Sequence, residues 1–267
     1  MVTVGLAVPC YGPHIVKLLP LLQSIEAQTR QPDHVVISCS GARYDDIAHL
    51  IGDWPFRLDI HTSAQRRNAA QNRNLAARAL TTELVSYVDA DDTMHPQRLE
   101  ILAQVFEATG VNIVLHGSLS PPGDEYASPF HQLYPPWPAT VNAPGAKHPA
   151  GSRFAPVHGH ATVTRDLAQS VGQPENLSFE RREDSEFIDM LLTKPGVRSA
   201  FVDLGLTKYV SSGAWADAPS GSGEYTLSPA ATAARTIMNL PLARAFKAPV
   251  QAFWRGLPFS IRQRWLK

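Results

Sequence analysis

Three acidic side chains directly follow an apolar run in the first half of the chain. Asp89, Asp91 and Asp92 come immediately after the segment LVSYV, whose composition is that of a buried strand. Two carboxylates at positions i and i+2 of a loop can turn toward one point, and their oxygens are the ligands that Mg²⁺ and Mn²⁺ prefer. Proteins commonly hold Mg²⁺ with one or two carboxylates and substrate phosphates. This spacing therefore predicts Mn²⁺ or Mg²⁺ at Asp89 and Asp91, together with a phosphorylated substrate.

The same acids also have a purely structural interpretation. Acidic residues are favoured at helix N-termini, and a helix is predicted to begin near Pro96. We expect Asp92 to serve this helix. A calcium loop is excluded because residues 93–96 supply none of the further acids that such a loop needs.

Further polar residues lie on two predicted helices. Arg73 and Asn74 belong to the helical segment RNAAQNRNLAARAL, and Glu183 and Asp184 open a helix whose apolar positions follow at once. Taken alone, such residues are more often an exposed helix face than a site. His158 and His160 flank Gly159 and alternate as in a strand, and a structural role or an acceptor pocket is favoured for them over metal ligation.

Strands alternate with helices over the first ninety residues. Apolar or alternating segments predict strands at residues 2–8, 34–38, 56–63 and 84–88, and helical periodicity separates them. This order indicates an α/β fold with a mostly parallel central sheet flanked by helices, in which ligands bind beyond the carboxyl ends of the strands. Loops that begin near Pro9, Ser38 and Asp89 are all expected at that edge.

The second half is less regular. A helix after Pro96 and a strand within residues 111–119 precede a segment at residues 121–156 that is dense in Pro, Gly and aromatic residues, Trp137 among them. A segment of this length without periodicity is typical of a lid or binding loop. A strand, two helices and a final strand follow, up to about residue 210.

Composition limits the classes of partner. Lys and Arg together number 24, as do Asp and Glu, so no overall field favours nucleic acid. The N-terminal segment indicates a strand and not a secretion signal, and no apolar run reaches membrane-spanning length, so we expect a cytoplasmic protein. The two cysteines, Cys10 and Cys39, are too few for a disulfide framework.

The segment NRNLAARALTTELVSYVDADDTMHPQRLEIL resembles the diagnostic region of family 2 glycosyltransferases with the GT-A fold. It has an Arg-Asn pair on a helix, an apolar strand, an Asp-x-Asp-Asp and a helix after a proline. Ser24 and Gln28 match the family's Ser-x-x-x-Gln, and Glu183-Asp184 matches its Glu-Asp motif. The resemblance extends over residues 2–206.

This resemblance implies an inverting glycosyltransferase that moves a sugar from a nucleoside-diphosphate donor to a glycan or lipid-linked acceptor. It implies Asp184 as general base, Glu183 as an orienting group, and a metal at Asp91, with Asp89 at the ion or the donor ribose. The predicted donor-binding residues are Pro9, Tyr11, Ser38, Arg73, Asn74, Asp89 and Asp91, and the predicted acceptor-binding residues are His158, His160 and Trp137.

Two departures from the family pattern affect the donor site. Relatives often carry an Asp-rich turn after the second strand, where this chain has Ser38-Cys39-Ser40-Gly41, so a UDP-sugar is only the default donor. Some relatives have a metal-binding His after the last core strand, and Lys208 stands near that position. We expect Lys208 to pair with phosphate.

The predicted domain organisation is one GT-A domain at residues 1–224 with a C-terminal extension at 225–267. The domain divides into a nucleotide-sugar-binding half at 1–118, an acceptor loop or lid at 119–157 and an acceptor half at 158–224. The extension mixes cationic and aromatic residues, and positions 235–267 contain no Asp or Glu. Two interpretations of it stay open, a peripheral membrane contact and a helical pair packed on the core.

Two other functions are compatible with the sequence. A nucleotidyltransferase can share this sheet and metal site, but the segment VPCYGPH is not the Gly-rich, basic phosphate loop expected for it. A noncatalytic sugar-nucleotide or glycan-binding domain is the third hypothesis, distinguished by the absence of turnover with any donor.

Overall fold

The computed structural model describes residues 1–119, 132–142, 160–175 and 183–208, with the side chain of Glu183 excluded. The strands in these ranges are β1 Val4–Tyr11, β2 His34–Ser40, β3 Arg57–Ser63, β4 Leu84–Tyr87, β5 Thr93–Met94, β6 Ile113–Leu119, β7 Ala139–Asn142, β8 Ala161–Thr164 and β9 Ser199–Lys208. The helices are α1 Ile15–Glu26, α2 Tyr44–Ile47, α3 Ala69–Ala79, α4 Arg98–Thr109, α5 Arg165–Val171 and α6 Glu183–Thr193.

The strands form one sheet in the order β3-β2-β1-β4-β8-β6-β9-β5, and β7 pairs with β9. β1, β2, β3 and β4 pair in parallel, as do β6 and β9. β8 lies antiparallel between β4 and β6, and β5 and β7 lie antiparallel to β9. Six of the nine described strands therefore share one direction, which confirms the predicted mostly parallel sheet.

Helices cover both faces of this sheet. On β1, Leu6 and Val8 point into one apolar core with α1 and α4, whereas Ala7 between them points into a second core with α3, α5 and α6. Each leucine buried in these cores contributes about 1.5–3 kcal/mol. On α6, the apolar residues that follow Asp184 are buried, namely Phe187, Ile188, Leu191 and Leu192.

Two prolines lie inside regular elements, and for Pro9 this differs from the prediction, which ended the strand at residue 8. β1 continues through Pro9 to Tyr11. The carbonyl of Ala7 accepts from Val88 N, so the backbone nitrogen of Pro9, two residues later, also faces β4. Pairing with β4 ends at Ala7, and the absence of an N–H at Pro9 therefore costs no hydrogen bond of that pairing. α1 likewise runs from Ile15 to Glu26 with Pro20 inside it.

The expectation that Asp92 caps the helix after Pro96 is wrong. α4 begins at Arg98, and the side chain of its N-cap residue, Gln97, makes no capping bond. The N–H of Leu99 in the first turn instead donates to Gln28 Oε1 at 3.1 Å. Asp92 is buried in the turn that follows β4, where its N–H donates to the carbonyl of Asp89. Its carboxylate acts on the buried guanidinium of Arg98 instead, so its role is charge compensation in the interior.

The loops after β1 and β2 approach each other closely through two glycines. A methyl group at Gly12 would lie 2.4 Å from the carbonyl oxygen of Gly41, and Gly41 itself has φ of 65°. A side chain at Gly12 therefore requires the backbone to move. This contact fixes the spacing of the two loops at the carboxyl edge of the sheet.

We predict that Gly12→Ala lowers the free energy of unfolding by about 1–3 kcal/mol, the usual cost of forcing a group into a filled space. Urea unfolding of the purified variant measures this. Gly52→Ala is the matched control because nothing lies within 4 Å of its added methyl group. Equal unfolding free energies for the two variants would contradict the prediction.

The predicted lid at residues 119–157 is described only in part. Residues 139–142 form β7, so this stretch is part of the sheet and not a loop. The rest of the lid, apart from 119 and 132–138, lies outside the described residues, as do His158, the boundary at 224 and the extension at 225–267. The domain boundaries therefore stay predictions. No helix in the described ranges is long and apolar enough to cross a membrane.

Candidate active site

Three loops meet at the carboxyl edge of the sheet, as the strand order predicted. β1 and β2 pair in register, so that Pro9 lies beside Ser38 and Cys10 beside Cys39. β4 ends next to β1 at Tyr87, and the turn with Asp89 and Asp91 follows it. The acids thus stand beyond the ends of three parallel strands, where α/β sheets bind ligands.

Asn72 of α3 holds two of these strand ends together. Its Nδ2 donates to the carbonyl of Cys10 at 3.1 Å and to Ser40 Oγ at 2.9 Å, while its Oδ1 accepts from Ser38 Oγ at 3.1 Å. The hydroxyl of Ser38, a predicted donor-binding residue, therefore faces α3. Asn72 has no distinct signal in the sequence, although it is one residue before the family's Arg-Asn pair.

Tyr11 forms an aromatic surface at the end of β1. The guanidinium carbon of Arg66 lies 4.9 Å from its ring centroid, a cation–π distance, and Gly41 packs against its edge. The ring is only partly buried. A flat, partly exposed ring at this edge can stack on a planar ligand.

Arg73 connects the acidic turn after β4 with α6. Its Nη2 donates to Asp89 Oδ1 at 3.0 Å, and its Nη1 lies 3.7 Å from Asp184 Oδ1. The Arg73 side chain is only 5% exposed, whereas the side chains of Asp89 and Asp184 are 19% and 28% exposed. A buried cation thus stands behind two carboxylates that solvent and ligands can reach.

Asn74, the residue after Arg73, binds the chain segment after α5. Its Oδ1 accepts from the N–H of Gln173 at 2.7 Å, and its Nδ2 donates to the carbonyl of Gln173 at 2.9 Å and to Glu175 Oε1 at 2.7 Å. Gln173 in turn accepts from Arg73 Nη1 through its side-chain Oε1, at 3.3 Å. Sequence reasoning missed Gln173 and Glu175, which match no motif.

Asp91 is the second candidate metal ligand of the acidic turn. Its Oδ2 lies 3.9 Å from Lys17 Nζ of α1, too far for a hydrogen bond, whereas Asp89 is held by Arg73. The described residues contain no cluster of three or more His, Cys, Asp or Glu that could hold a metal. Two hard carboxylates fit Mg²⁺ or Mn²⁺ if substrate phosphate supplies further oxygens.

Arg98, the first residue of α4, is fully buried near the acidic turn. Its guanidinium donates to the carbonyl of Tyr87 at 2.7 Å, to Ser86 Oγ at 3.1 Å and to Thr207 Oγ1 at 3.1 Å. Burial lowers the pKa of Arg98 to about 9, and the charges of Asp92 and Asp89 oppose this shift. The residue therefore stays charged at neutral pH and ties the end of β4 to β9.

Two histidines are buried next to this arginine. The rings of His116 on β6 and His160 before β8 lie 5.3 Å apart between centroids, and His116 Nδ1 lies 2.7 Å from the carbonyl of Gly117. His160 is 1% exposed. Acceptor binding by His160 stays a prediction, and its position shows a histidine packed into the interior at the active-site edge of the sheet.

We predict that His116 makes the protein less stable in mild acid. Burial lowers the pKa of His116 well below its ordinary value, and the charge of Arg98 and the neighbouring His160 add to the effect. The folded state therefore excludes a proton that the unfolded state accepts near pH 6.5. The free energy of unfolding is therefore not reduced by His116 above pH 6.5. Below that pH it falls by up to about 1.4 kcal/mol per pH unit.

Urea unfolding between pH 5 and 7.5 measures this dependence. His116→Asn keeps an N–H donor near Gly117 but does not titrate, so its unfolding free energy should fall less steeply below pH 6.5 than that of the wild type. His49→Asn, at an exposed position, is the control and should keep the wild-type slope. Identical slopes for wild type and His116→Asn would contradict the prediction.

The remaining predicted residues lie in different places. Trp137 is half-buried and its indole N–H donates to Gln104 Oε1 on α4 at 2.7 Å, so the described contacts place it against that helix. Lys208 ends β9 and lies opposite Thr93, the residue that directly follows the acidic turn. Burial lowers the pKa of Lys208. Glu183 begins α6, and His158 is outside the described ranges.

Comparisons with solved structures show the fold. The S. aureus TarS 1–349 structure superposes with a TM-score of 0.62 at 16% identity, covering 78% of this chain and 60% of that one. The same fragment in complex with UDP-GlcNAc gives a TM-score of 0.61 at 16% identity, with 78% and 58% covered. The chain thus spans about 60% of the length of TarS 1–349. The predicted GT-A architecture is confirmed.

Comparisons of sequence show the family. No curated protein matches the chain. The model described as "Glycosyl transferase family 2" matches residues 6–171, which is more than half of the 267 residues and includes most of β1, the Arg73-Asn74 pair and the acidic turn. The chain therefore belongs to glycosyl transferase family 2.

Proposed function

We propose that the protein is an inverting, metal-dependent glycosyltransferase that moves a sugar from a nucleoside-diphosphate donor to a hydroxyl group of a glycan or lipid-linked acceptor. The observation that carries this proposal is the row Asp89–Arg73–Asp184 at the carboxyl edge of the sheet, with contacts of 3.0 and 3.7 Å. In this row Asp89 can bind a metal ion, Asp184 can take a proton, and the buried cation of Arg73 can balance the charge of the diphosphate. The proposed transfer needs all three.

Asp184 is suited to act as general base. Its carboxylate is partly exposed near the start of α6, and Arg73 stands 3.7 Å from it. In the proposed reaction the acceptor oxygen attacks the anomeric carbon while Asp184 takes the hydroxyl proton. The bond between that carbon and the diphosphate oxygen breaks on the opposite face, which inverts the configuration.

Arg73 is suited to balance charge during this step. The departing diphosphate gains negative charge, and a guanidinium that is 5% exposed acts in a medium of low dielectric constant. Its contact with Asp89 aims it toward the side of the site where the donor phosphates are proposed to bind. Lys208, partly desolvated at the end of β9, is a further proposed phosphate contact.

Asp91, with Asp89, would hold the divalent ion. Mn²⁺ or Mg²⁺ bound there supplies charge neutralisation for the diphosphate leaving group. The geometry favours Asp91 as the principal ligand because Asp89 Oδ1 is already bonded to Arg73. Lys17 Nζ, 3.9 Å from Asp91 Oδ2, adds positive charge on the same side.

The nucleoside is proposed to stack on Tyr11 at the end of β1. The ring of Tyr11 is partly exposed, and Arg66 lies beside it. Gly12 and Gly41 approach each other closely next to the ring, which leaves a flat surface for a planar base. A solved TarS structure carries UDP-GlcNAc and another carries UDP, which makes uridine nucleotides the first donors to test. The acceptor is proposed to bind near His158, His160 and Trp137.

Thermal shift with a panel of nucleoside diphosphates and their sugars, with Mn²⁺ and with EDTA, tests the proposed donor class. We expect one nucleoside diphosphate and at least one of its sugars to raise the melting temperature, because ligands that bind only the folded state stabilise it. The shift should disappear in EDTA. Absence of any donor-specific shift would contradict the proposal, and binding without turnover would favour a noncatalytic sugar-nucleotide-binding domain.

A further inference from the structure

Gln173 is distinguished among the buried glutamines by what its side chain contacts. In the described ranges, three glutamines are at most 5% exposed, Gln28, Gln97 and Gln173. Gln28 and Gln97 use both the oxygen and the nitrogen of the amide on backbone groups, at 2.7–3.1 Å. Among the described residues, the side chain of Gln173 has one hydrogen bond, to Arg73, and its Nε2 has no hydrogen-bond partner.

The backbone of Gln173 is fixed by the residue next to Arg73. Asn74 accepts from its N–H at 2.7 Å and donates to its carbonyl at 2.9 Å. The preceding residue, Gly172, has φ of 62°, a conformation in which other residues are strained. Two neighbouring residues of α3 thus hold the two parts of Gln173, Asn74 the main chain and Arg73 the side chain.

This arrangement gives the guanidinium of Arg73 a neutral acceptor beside the two acids. Asp89 and Asp184 are carboxylates and attract the cation strongly, at 3.0 and 3.7 Å, whereas Gln173 offers a neutral oxygen at 3.3 Å. A neutral acceptor orients the planar donor fork without adding a third negative charge. Arg73 can therefore keep contact with both acids at once.

We infer that Gln173 is a positioning residue whose side-chain oxygen holds Arg73 between Asp89 and Asp184. The inference rests on the proposed function for its catalytic consequence and on the contacts above for its geometry. Gln173 acts through Arg73, so its replacement should matter only while Arg73 is present.

A double-mutant cycle in kcat tests this. Gln173→Leu removes the acceptor at similar volume, and we expect about a tenfold loss of kcat in the Arg73 background with the donor identified by thermal shift. In the Arg73→Met background the same change should alter kcat less than about twofold. Arg73→Lys is a second background. An ammonium lacks the planar donor fork of a guanidinium, so Gln173→Leu should again lower kcat less than it does in the Arg73 background.

Gln97→Leu is the matched control because Gln97 is equally buried but bonds to the backbone of Leu133. It should lower the melting temperature and leave kcat unchanged in every background. Unchanged kcat for Gln173→Leu, or the same loss with and without Arg73, would overturn the inference.

A wild-type protein without turnover would overturn the proposed function instead. The positioning contact is then decided by the unfolding free energies of the same four proteins, in which the effects of Gln173→Leu and Arg73→Met must be non-additive. Additive effects would overturn it.

Discussion

Asp184→Asn should lower kcat by about 10²–10⁴-fold, the usual contribution of a general base. Asparagine has nearly the same shape as aspartate, but its amide cannot take the proton of the acceptor hydroxyl. The position near the start of α6 and the 3.7 Å distance to Arg73 place the carboxylate at the sheet edge where the donor is proposed to bind. Initial-rate kinetics with saturating donor and acceptor measure the effect.

Donor binding should survive this substitution. The dissociation constant of the donor, measured by calorimetry with Mn²⁺, is expected to stay within about threefold, because the proposed role of Asp184 is to take the proton of the acceptor hydroxyl and not to bind the donor. Asp189→Asn on the same helix is the control and should keep the wild-type rate. More than a tenth of wild-type kcat in Asp184→Asn would exclude Asp184 as the base.

Asp91→Asn should abolish metal-dependent binding of the nucleoside diphosphate, with a loss of affinity of about 10²-fold or more. Replacing groups that only support metal ligands already costs about 10–100-fold. Asparagine keeps one weak oxygen ligand and removes the charge. Calorimetric titration with the diphosphate in Mn²⁺ and in EDTA measures the change.

The control for this change is Asp53→Asn, at an exposed position of the surface, which should bind as the wild type does. In EDTA, wild type and Asp91→Asn should bind the diphosphate equally weakly. Equal affinities of these two proteins in Mn²⁺ would remove Asp91 from the metal site.

The elements that place the site could be predicted because their signals are local. Apolar runs that end in Pro9-Cys10-Tyr11, in Ser38 and in Asp89 gave the strands, and their order gave the shared edge. The register then follows from the parallel pairing, which no sequence pattern shows directly. The direction of β8, antiparallel between β4 and β6, depends on contacts distant in sequence and had no local signal.

Charged residues were harder to assign than strands. Asp92 was expected at a helix N-terminus, but the interior contains Arg98, whose charge has to be compensated where water is absent. Nothing in the segment HPQRLEIL distinguishes Arg98 from an exposed helical arginine. Acceptors on β4 and β9 allow this arginine to be buried, and they come together only in the fold.

The supporting residues of the site were the least predictable. Gln173 and Asn72 each contribute a single amide. Arg73 is 100 positions from Gln173, and Ser38 is 34 positions from Asn72. Such contacts leave no spacing rule in the sequence. The Arg73-Asn74 pair, in contrast, was found because it belongs to a motif, although the structure gives Asn74 contacts to the segment after α5.

Release of the nucleoside diphosphate tests the central claim most directly. Sugar nucleotides, beginning with UDP-GlcNAc, are incubated with wild-type protein in Mn²⁺ or EDTA, and with Asp184→Asn in Mn²⁺. We predict release from at least one donor by the wild type in Mn²⁺, and its loss both in EDTA and in Asp184→Asn. No release from any donor, or release that neither EDTA nor Asp184→Asn reduces, would contradict a metal-dependent glycosyltransferase with Asp184 as its base.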